Sequence, residues 1–231
     1  MCGIYGIFNP NACIDERLRA WAEHARCQLR HRGPDGHQCV EILDGHCLLG
    51  HLRLAIIDLE RGAQPLSNED DTVWVVCNGE IYNYLELREQ LIAEGHQFRT
   101  HSDTEVLVHL YEQKGRALLE DLEGMFAFAI VDERKRAIFL ARDRFGEKPL
   151  YWTHRAEGQG VAFASEMKAL LSFPGVDARP DIAALSQFLF LRCIPAPRTH
   201  LRGIQKLAAG EALIADANPA VKCWRRAMAQ M

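Results

Sequence analysis

The sequence lacks any stretch that would cross a membrane. Its longest uninterrupted apolar run, residues 125–131, is far shorter than the roughly 20 residues that a membrane-spanning helix needs. The first dozen residues carry no basic segment, and the charged residues at 15–17 interrupt the apolar core that a signal peptide requires. We therefore expect a cytoplasmic protein with no membrane partner.

Several common functional motifs are also absent. The chain contains no Gly-Gly pair, no phosphate-binding G-x-x-x-x-G-K-[ST] loop, no G-x-S-x-G and no H-E-x-x-H. These absences argue against a P-loop nucleotide hydrolase, an α/β-hydrolase and a zinc-dependent peptidase of that type. The net charge is −4 and the basic residues are scattered, which argues against a nucleic-acid partner.

Eight cysteines are present, but none forms a C-x-x-C pair. In a chain of this length without a secretion signal, we expect reduced thiols rather than disulfides. His46, Cys47 and His51 are potential metal ligands that lie close together in sequence. Because no second ligand cluster accompanies them, we interpret them as strand residues and expect no metal site.

The apolar runs "GMFAFAIVD" and "AIFLA" show no polar alternation, which is typical of strands covered on both faces. A doubly wound parallel sheet is one fold with such strands. However, the connections 43–46 and 132–137 are too short for the crossover that parallel strands need, so they favour antiparallel pairing. The predicted fold class is α+β, a four-layer αββα sandwich of mainly antiparallel sheets.

The individual elements follow from periodicity and from turn residues. In "SDTE", Ser102 and Glu105 have the spacing of a capping box at a helix start, and Gly115 marks the expected helix end. Strands are predicted near 3–8, 38–43, 46–57, 72–77, 124–132, 137–141 and 211–215, and helices near 14–29, from 83, from the cap at 102 to the stop at 115, and over 165–171 and 182–189.

Three polar segments, 32–36, 78–83 and 101–103, interrupt this apolar pattern. Each lies at a strand end or a helix start, where binding residues concentrate. Turn or cap chemistry alone would also explain each segment, and Asp103 in particular is favoured at a helix N-terminus. Taken singly, these segments therefore do not identify a site.

Cys2 directly follows the first methionine. If Met1 is removed, Cys2 carries an α-amine whose reference pKa of about 8 is close to the thiol's value of about 8.5. Such an amine can accept the thiol proton and activate the sulfur as a nucleophile. The alternative is a packed thiol at the start of a strand, since free cysteines are often buried. Position alone leaves both interpretations open.

Eight ordered motifs together resemble one family, and they span almost the whole chain. They are "MCGIYGIF", "RHRGPDG", "HLRLAIIDL", "NGEIYN", "SDTEVL", "GMFAFAIVD", "ARDRFGEKPLYW" and "FASEMKALL". The set is similar to the class II glutamine amidotransferase domain, of the N-terminal-nucleophile type, in the version fused to asparagine synthetases. The fold that this resemblance implies is the N-terminal-nucleophile hydrolase fold, which agrees with the predicted sandwich.

The resemblance implies catalytic roles for three residues. Cys2 matches the nucleophile that forms a γ-glutamyl thioester. Asn78 and the backbone N–H of Gly79, in "NGEIYN", match the oxyanion hole.

Substrate-binding and supporting roles follow in the same way. Arg53 matches the guanidinium that holds the glutamine α-carboxylate, for which a fork of N–H donors is well suited. Asp103 matches the carboxylate that holds the α-ammonium, and Glu80 assists in substrate recognition. The remaining implied positions are Leu54 and Ile56, which offer backbone contacts, and Arg32 and Asn83, which support the nucleophile and the loop around it.

The reaction that the resemblance implies is hydrolysis of L-glutamine to L-glutamate and ammonia, without a cofactor. Residues 1–215 would form the glutaminase domain, and residues 216–231 would begin a linker to a synthetase domain that is not part of this sequence. ATP and Mg²⁺ would be needed only with that synthetase domain, which accepts the ammonia. A homodimer is possible.

Three alternatives stay open at this point. The chain could be a stand-alone glutaminase subunit that serves another acceptor, or a non-catalytic binding domain of the same fold. It could also be an amidase that acts on a different amide.

Overall fold

The computed structural model describes residues 1–55, 58, 62–154, 160–216 and 222–225. In this part of the chain, two six-stranded sheets stack on each other, with strand orders β10-β8-β9-β1-β3-β2 and β12-β11-β7-β6-β5-β4. Every strand pairing in both sheets is antiparallel. The strands are β1 (Gly3–Phe8), β2 (Gly36–Ile42), β3 (Cys47–Arg53), β4 (Leu66–Ser67), β5 (Val73–Ile81), β6 (Gly124–Asp132), β7 (Ala137–Arg142), β8 (Tyr151–His154), β9 (Val161–Ala164), β10 (Gln205–Lys206), β11 (Glu211–Ala215) and β12 (Lys222–Arg225).

Helices cover the outer faces of the two sheets. Among the described residues, no helix is both long and apolar enough to span a bilayer. The helices are α1 (Glu16–Leu29), α2 (Tyr84–Ala93), α3 (Val106–Lys114), α4 (Met167–Leu170) and α5 (Ile182–Leu191), with 3₁₀ turns at Arg30–Arg32, Asp103–Glu105 and Gly115–Glu120.

Three apolar cores separate the four layers. The first packs α1 and α4 against the first sheet, the second fills the space between the sheets, and the third packs α2 and α3 against the second sheet. In β1, Tyr5 and Ile7 enter the first core, while Ile4 and Phe8 enter the second. Because both faces of such a strand are covered, its sequence shows no polar alternation. The predicted αββα sandwich is confirmed.

Helix α1 illustrates how local sequence specifies an element. The Asp15 side chain caps its start by accepting a hydrogen bond from the Leu18 N–H at 2.9 Å. Leu18, Trp21 and Leu29 recur at helical spacing and are buried against the first sheet.

The largest difference from the predicted elements is in "NGEIYN", which was expected to interrupt the strand. Strand β5 instead continues through Asn78, Gly79 and Glu80 to Ile81, in register with β6 over nine residue pairs. A Cβ at position 79 would lie 2.1 Å from the Met125 oxygen of β6. Glycine is therefore required here for close strand approach, and not for a turn.

Two further boundaries differ. The strand predicted over 46–57 ends at Arg53, and Leu54 and Ala55 follow in irregular backbone. The predicted capping box is wrong in its second half, since Glu105 accepts the N–H groups of Arg99 and Thr100 instead of that of Ser102. The Ser102 hydroxyl does cap the turn by accepting from the Thr104 N–H at 3.2 Å.

Candidate active site

A cavity of about 260 Å³ opens where the start of β1, the end of β3 and the last part of β5 meet. Its size is slightly below the range of about 300–1,000 Å³ that holds drug-sized ligands, which suits a small metabolite. Residues on its wall include Cys2, His51, Arg53, Leu54, Gln64, Asn78, Gly79, Glu80, Asp103 and Lys148.

Cys2 is fixed in this cavity from two sides. Its sulfur accepts a hydrogen bond from the Leu54 N–H at 3.4 Å, and its carbonyl oxygen accepts one from Arg32 Nε at 2.9 Å. Arg32 in turn donates to the Glu166 carboxylate at 2.8 Å, before α4. Two residues further on, the Ile4 N–H donates to the Ser165 hydroxyl at 2.9 Å. The Leu54 N–H therefore holds the sulfur, while Arg32 and Ser165 hold the backbone around Cys2.

The surroundings of Cys2 disfavour the thiolate form of its side chain. Burial raises its pKa above the ordinary value, while the Leu54 N–H, the chain's terminal ammonium and Arg53 partly offset that effect. The nearby Asp103 carboxylate works in the same direction as burial. A neutral thiol is a weak nucleophile, so a base close to the sulfur is needed for chemistry.

The side-chain amide of Asn78 lies in the cavity wall and forms no hydrogen bond with another described residue. The residue is 1% exposed, and neither its Nδ2 nor its Oδ1 has a hydrogen-bond partner among the described residues. Leaving a buried polar group unpaired costs about 1–3 kcal/mol. An amide in this state on a cavity wall is available to a ligand, and Gly79 lies next to it on the same strand.

Asp103 contributes a carboxyl group and Arg53 contributes a guanidinium to the same wall. Asp103 Oδ2 accepts the Ile81 N–H at 2.8 Å, yet burial and the nearby Glu80 carboxylate raise its pKa above the ordinary value. Burial disfavours the ionised form of a carboxyl group, and Asp103 forms no ion pair with another described residue. Arg53, at the end of β3, lines the cavity and donates to the Asp58 carbonyl oxygen.

Two wall residues, His51 and Gln64, were missed by the sequence analysis as site residues. His51 is buried, and burial together with Arg53 lowers its pKa to about 3, so the imidazole is neutral. Gln64 donates to the Thr104 hydroxyl at 3.1 Å and accepts the Cys77 N–H at 2.6 Å. His51 belongs to the quoted segment "HLRLAIIDL", and Gln64 lies in "GAQPL" shortly after it, so proximity to a motif was the available signal.

Two expected site residues, Arg32 and Asn83, do not line the cavity. Arg32 lies behind Cys2, and Asn83 lies at the start of α2, where its side chain bonds the Asp121 oxygen at 2.8 Å and the Glu123 N–H at 3.0 Å. Asn83 therefore joins the turn after β5 to the segment before β6. Ile56 lies outside the described residues.

Comparison with known proteins places this cavity in context. Residues 1–224 match the family model described as "Glutamine amidotransferase domain". The chain is 41% identical over 215 residues to asparagine synthetase [glutamine-hydrolyzing] 1 of Bacillus subtilis, covering 91% of this chain and 33% of that protein. It is 54% identical over 188 residues to the putative asparagine synthetase [glutamine-hydrolyzing] 1 of Methanocaldococcus jannaschii, covering 74% of this chain and 33% of that protein.

Solved structures agree on the fold. The glutamine phosphoribosylpyrophosphate amidotransferase of Bacillus subtilis superposes with a TM-score of 0.68 at 24% identity, covering 99% of this chain and 50% of that one. The structure described as the allosteric regulatory enzyme of purine biosynthesis gives 0.70 at 23% identity, with the same coverage. The chain spans about a third of the length of the curated relatives it matches. The chain belongs to the glutamine amidotransferase domain family.

Proposed function

We propose that this domain hydrolyses L-glutamine to L-glutamate and ammonia through a thioester on Cys2. The observation that carries the proposal is the content of one cavity: a thiol, an unengaged amide, a carboxylate and a guanidinium. Free glutamine presents one carboxamide, one ammonium and one carboxylate. Each substrate group thus has a complementary partner on the wall, and no cofactor is needed for the reaction.

The proposed reaction begins after removal of Met1, which lies at the cavity and is largely exposed. The amine of Cys2 then takes the thiol proton, and the sulfur attacks the carboxamide carbon. Asn78 Nδ2 and the Gly79 N–H stabilise the oxyanion, and one such donor is worth about 2.7–4 kcal/mol in the transition state. The C–N bond breaks, the amine returns its proton to the departing ammonia, and water then hydrolyses the thioester to glutamate.

Orientation of the substrate is assigned to Asp103 and Arg53. The Asp103 carboxylate receives the α-ammonium group, whose positive charge offsets the effect of burial on this carboxylate. Arg53 receives the α-carboxylate. Recognition of both ends of a free amino acid favours glutamine over an amide within a peptide, because a peptide has neither charge at those positions.

We further propose that the ammonia passes to an ATP-dependent synthetase portion of the asparagine type. The support is the relatives' names and the apolar surface of α5. Ile182, Leu189 and Phe190 of that helix are 64%, 76% and 88% exposed. Contiguous exposed apolar side chains mark interaction surfaces, and this helix is followed by a proline-containing segment at 195–197.

The decisive experiment measures glutamate and ammonia release from glutamine, together with intact mass. The protein should lack Met1, and a diazo-ketone analogue of glutamine should add one adduct at Cys2. Cys2→Ser should lower turnover by at least about 10,000-fold. The exposed Cys27 provides the matched control, since Cys27→Ser should keep full activity.

A second arm tests the terminal amine itself. An uncleavable N-terminal extension should abolish turnover, while the same extension at the C-terminus should not. Full activity with Met1 retained, or with Cys2→Ser, would overturn the mechanism. A correctly processed protein that neither hydrolyses glutamine nor reacts with the analogue would instead favour a non-catalytic binding domain.

A further inference from the structure

Four potential metal ligands meet on the outer side of the second sheet, and none of them lines the Cys2 cavity. Glu69 lies between β4 and β5, His96 follows α2, and His109 and Glu112 lie on α3. One ligand atom from each residue falls within 4.8 Å of all the others. Two imidazoles and two carboxylates form a donor set that suits zinc.

The spacing of these atoms differs from that of hydrogen-bonded pairs. His96 Nδ1 lies 3.5 Å from Glu69 Oε1 and 3.7 Å from Glu112 Oε2. His109 Nδ1 lies 3.5 Å from Glu69 Oε2 and 3.6 Å from Glu112 Oε2. Direct hydrogen bonds between such groups are about 2.7–3.2 Å long. Four ligands at about 2.0–2.1 Å from a tetrahedral zinc ion lie about 3.3–3.4 Å from one another. The four His–Glu distances are slightly longer than this, with Glu69 presenting Oε1 to His96 and Oε2 to His109, and one ligand atom from each residue lies within 4.8 Å of the others.

His109 points to a ligand independently of the acidic residues. It is 0% exposed, and neither of its ring nitrogens has a hydrogen-bond partner within the described part of the chain. Its Nδ1 faces both carboxylates, and its Nε2 lies 3.9 Å from the buried Glu105 carboxylate. Metal-binding histidines commonly direct their second nitrogen at a carboxylate in this way, which fixes the ring orientation.

The two carboxylates are also held in place from behind. Glu69 Oε1 accepts the Gln97 N–H at 2.8 Å, and Glu112 Oε1 accepts from Asn68 Nδ2 at 2.8 Å. The Glu112 Oε2 atom, which faces the two imidazoles, is buried and has no hydrogen-bond partner among the described residues. The cluster is therefore preorganised, with its unpaired atoms directed at a common centre.

We propose that Glu69, His96, His109 and Glu112 form a structural zinc site. Four protein ligands complete a tetrahedral shell, which is typical of structural and not catalytic zinc. The ion would connect the turn before β5 and the loop after α2 to helix α3. This proposal departs from the expectation of no metal site, which rested only on ligands that are close together in sequence.

The test uses the whole chain, stripped with a chelator and then titrated with Zn²⁺. One equivalent should bind, and at a zinc concentration 100 times the dissociation constant Tm should rise by roughly 5–10 °C. The partly exposed ligands allow variants that should fold, since the side chains of His96 and Glu112 are 16% and 20% exposed. His96→Gln and Glu112→Gln should each weaken binding by at least the roughly 10- to 100-fold that loss of an outer-shell partner causes.

Two controls locate the ion. His24→Gln, at an exposed histidine of α1, should leave both stoichiometry and affinity unchanged. Substitution with Co²⁺ should give the visible spectrum of a tetrahedral nitrogen and oxygen site, without a thiolate charge-transfer band. Absence of zinc uptake, equal affinity in the ligand variants, or a thiolate band would each overturn the proposal.

Discussion

Asp103 and Glu105 belong to the same 3₁₀ turn and are both buried, at 5% and 1% exposure. Their surroundings nevertheless shift the pKa values of the two carboxyl groups in opposite directions. Burial and the nearby Glu80 raise the pKa of Asp103. Burial alone would also raise the pKa of Glu105, but the neighbouring His109 and the hydrogen bonds from Thr100 outweigh it and lower that pKa. One carboxylate faces a cavity, and the other is paired within the protein.

The contrast indicates a binding role for Asp103 and a structural role for Glu105, two residues further on. Glu105 accepts the N–H groups of Arg99 and Thr100 at 2.6 and 2.8 Å and also the Thr100 hydroxyl, so its charge is used to shape the loop. Asp103 accepts the Ile81 N–H at 2.8 Å and the Ser102 hydroxyl at 3.5 Å, forms no ion pair among the described residues, and lines the cavity. A buried carboxyl group with a shifted pKa in a cavity is a candidate for ligand binding.

Among the variants that test this contrast between the two carboxylates, Asp103→Asn has the largest expected effect. Removing one partner of a buried charge pair costs about 2–5 kcal/mol, so kcat/KM for glutamine should fall roughly 30- to 4,000-fold, mostly through KM. Thermal stability should not fall, because the amide oxygen can still accept the Ile81 N–H and no charge is buried. Steady-state kinetics and a melting curve on the same sample measure both. Unchanged KM would remove Asp103 from substrate binding.

For Glu105→Gln we expect a loss of stability and little change in KM for glutamine. An amide cannot accept from all three Arg99 and Thr100 donors, and an unpaired buried donor costs about 1–3 kcal/mol. Tm should therefore fall by roughly 2–12 °C. Well below the melting temperature, KM for glutamine should stay close to the wild-type value. A large rise in KM with unchanged Tm would show that the two carboxylates do not divide the roles as described.

The smallest effect is a pH dependence of stability, measured by urea unfolding of wild type and Asp103→Asn. The folded-state pKa of Asp103 is raised, so folding favours its protonated form. Its contribution to stability is fully present below the unfolded pKa of about 3.9 and is lost as pH rises through the folded pKa. The free energy of unfolding of the variant should therefore rise relative to that of wild type as the pH rises above the unfolded pKa. A constant difference would mean that Asp103 ionises equally in both states.

Much of the fold could be predicted from the sequence because its strands are long and apolar. The run 124–132 and the short connection 132–137 indicated doubly covered antiparallel strands, and both predictions are confirmed. The strand break predicted at Asn78 is wrong, because pairing with β6 outweighs the low strand propensity of the local sequence. Asn78, Gly79 and Glu80 are poor strand formers, but β6 provides a complete partner strand for them.

Residues of the site could be predicted from the sequence only where they belong to a motif. Cys2, Arg53, Asn78 and Asp103 were named from motif positions, and the structure brings them to one cavity. The neutral state of His51 depends on burial, which no local pattern shows. The proposed metal site was not predicted because its residues come from three segments, and only the three-residue spacing of His109 and Glu112 is visible locally.

The central position of β1 fixes the order in which the site is assembled. Cys2 lies just before β1, yet β1 pairs with β9, and the Ile4 N–H bonds to Ser165, 161 residues later. At about 5–20 residues per second, roughly 8–30 s separate the synthesis of these two residues. Until β9 has emerged, one side of β1 lacks its partner strand. The segment that carries Cys2 is thus fixed in place only after residue 165 has been made, although it precedes almost all other residues of the cavity wall in the sequence.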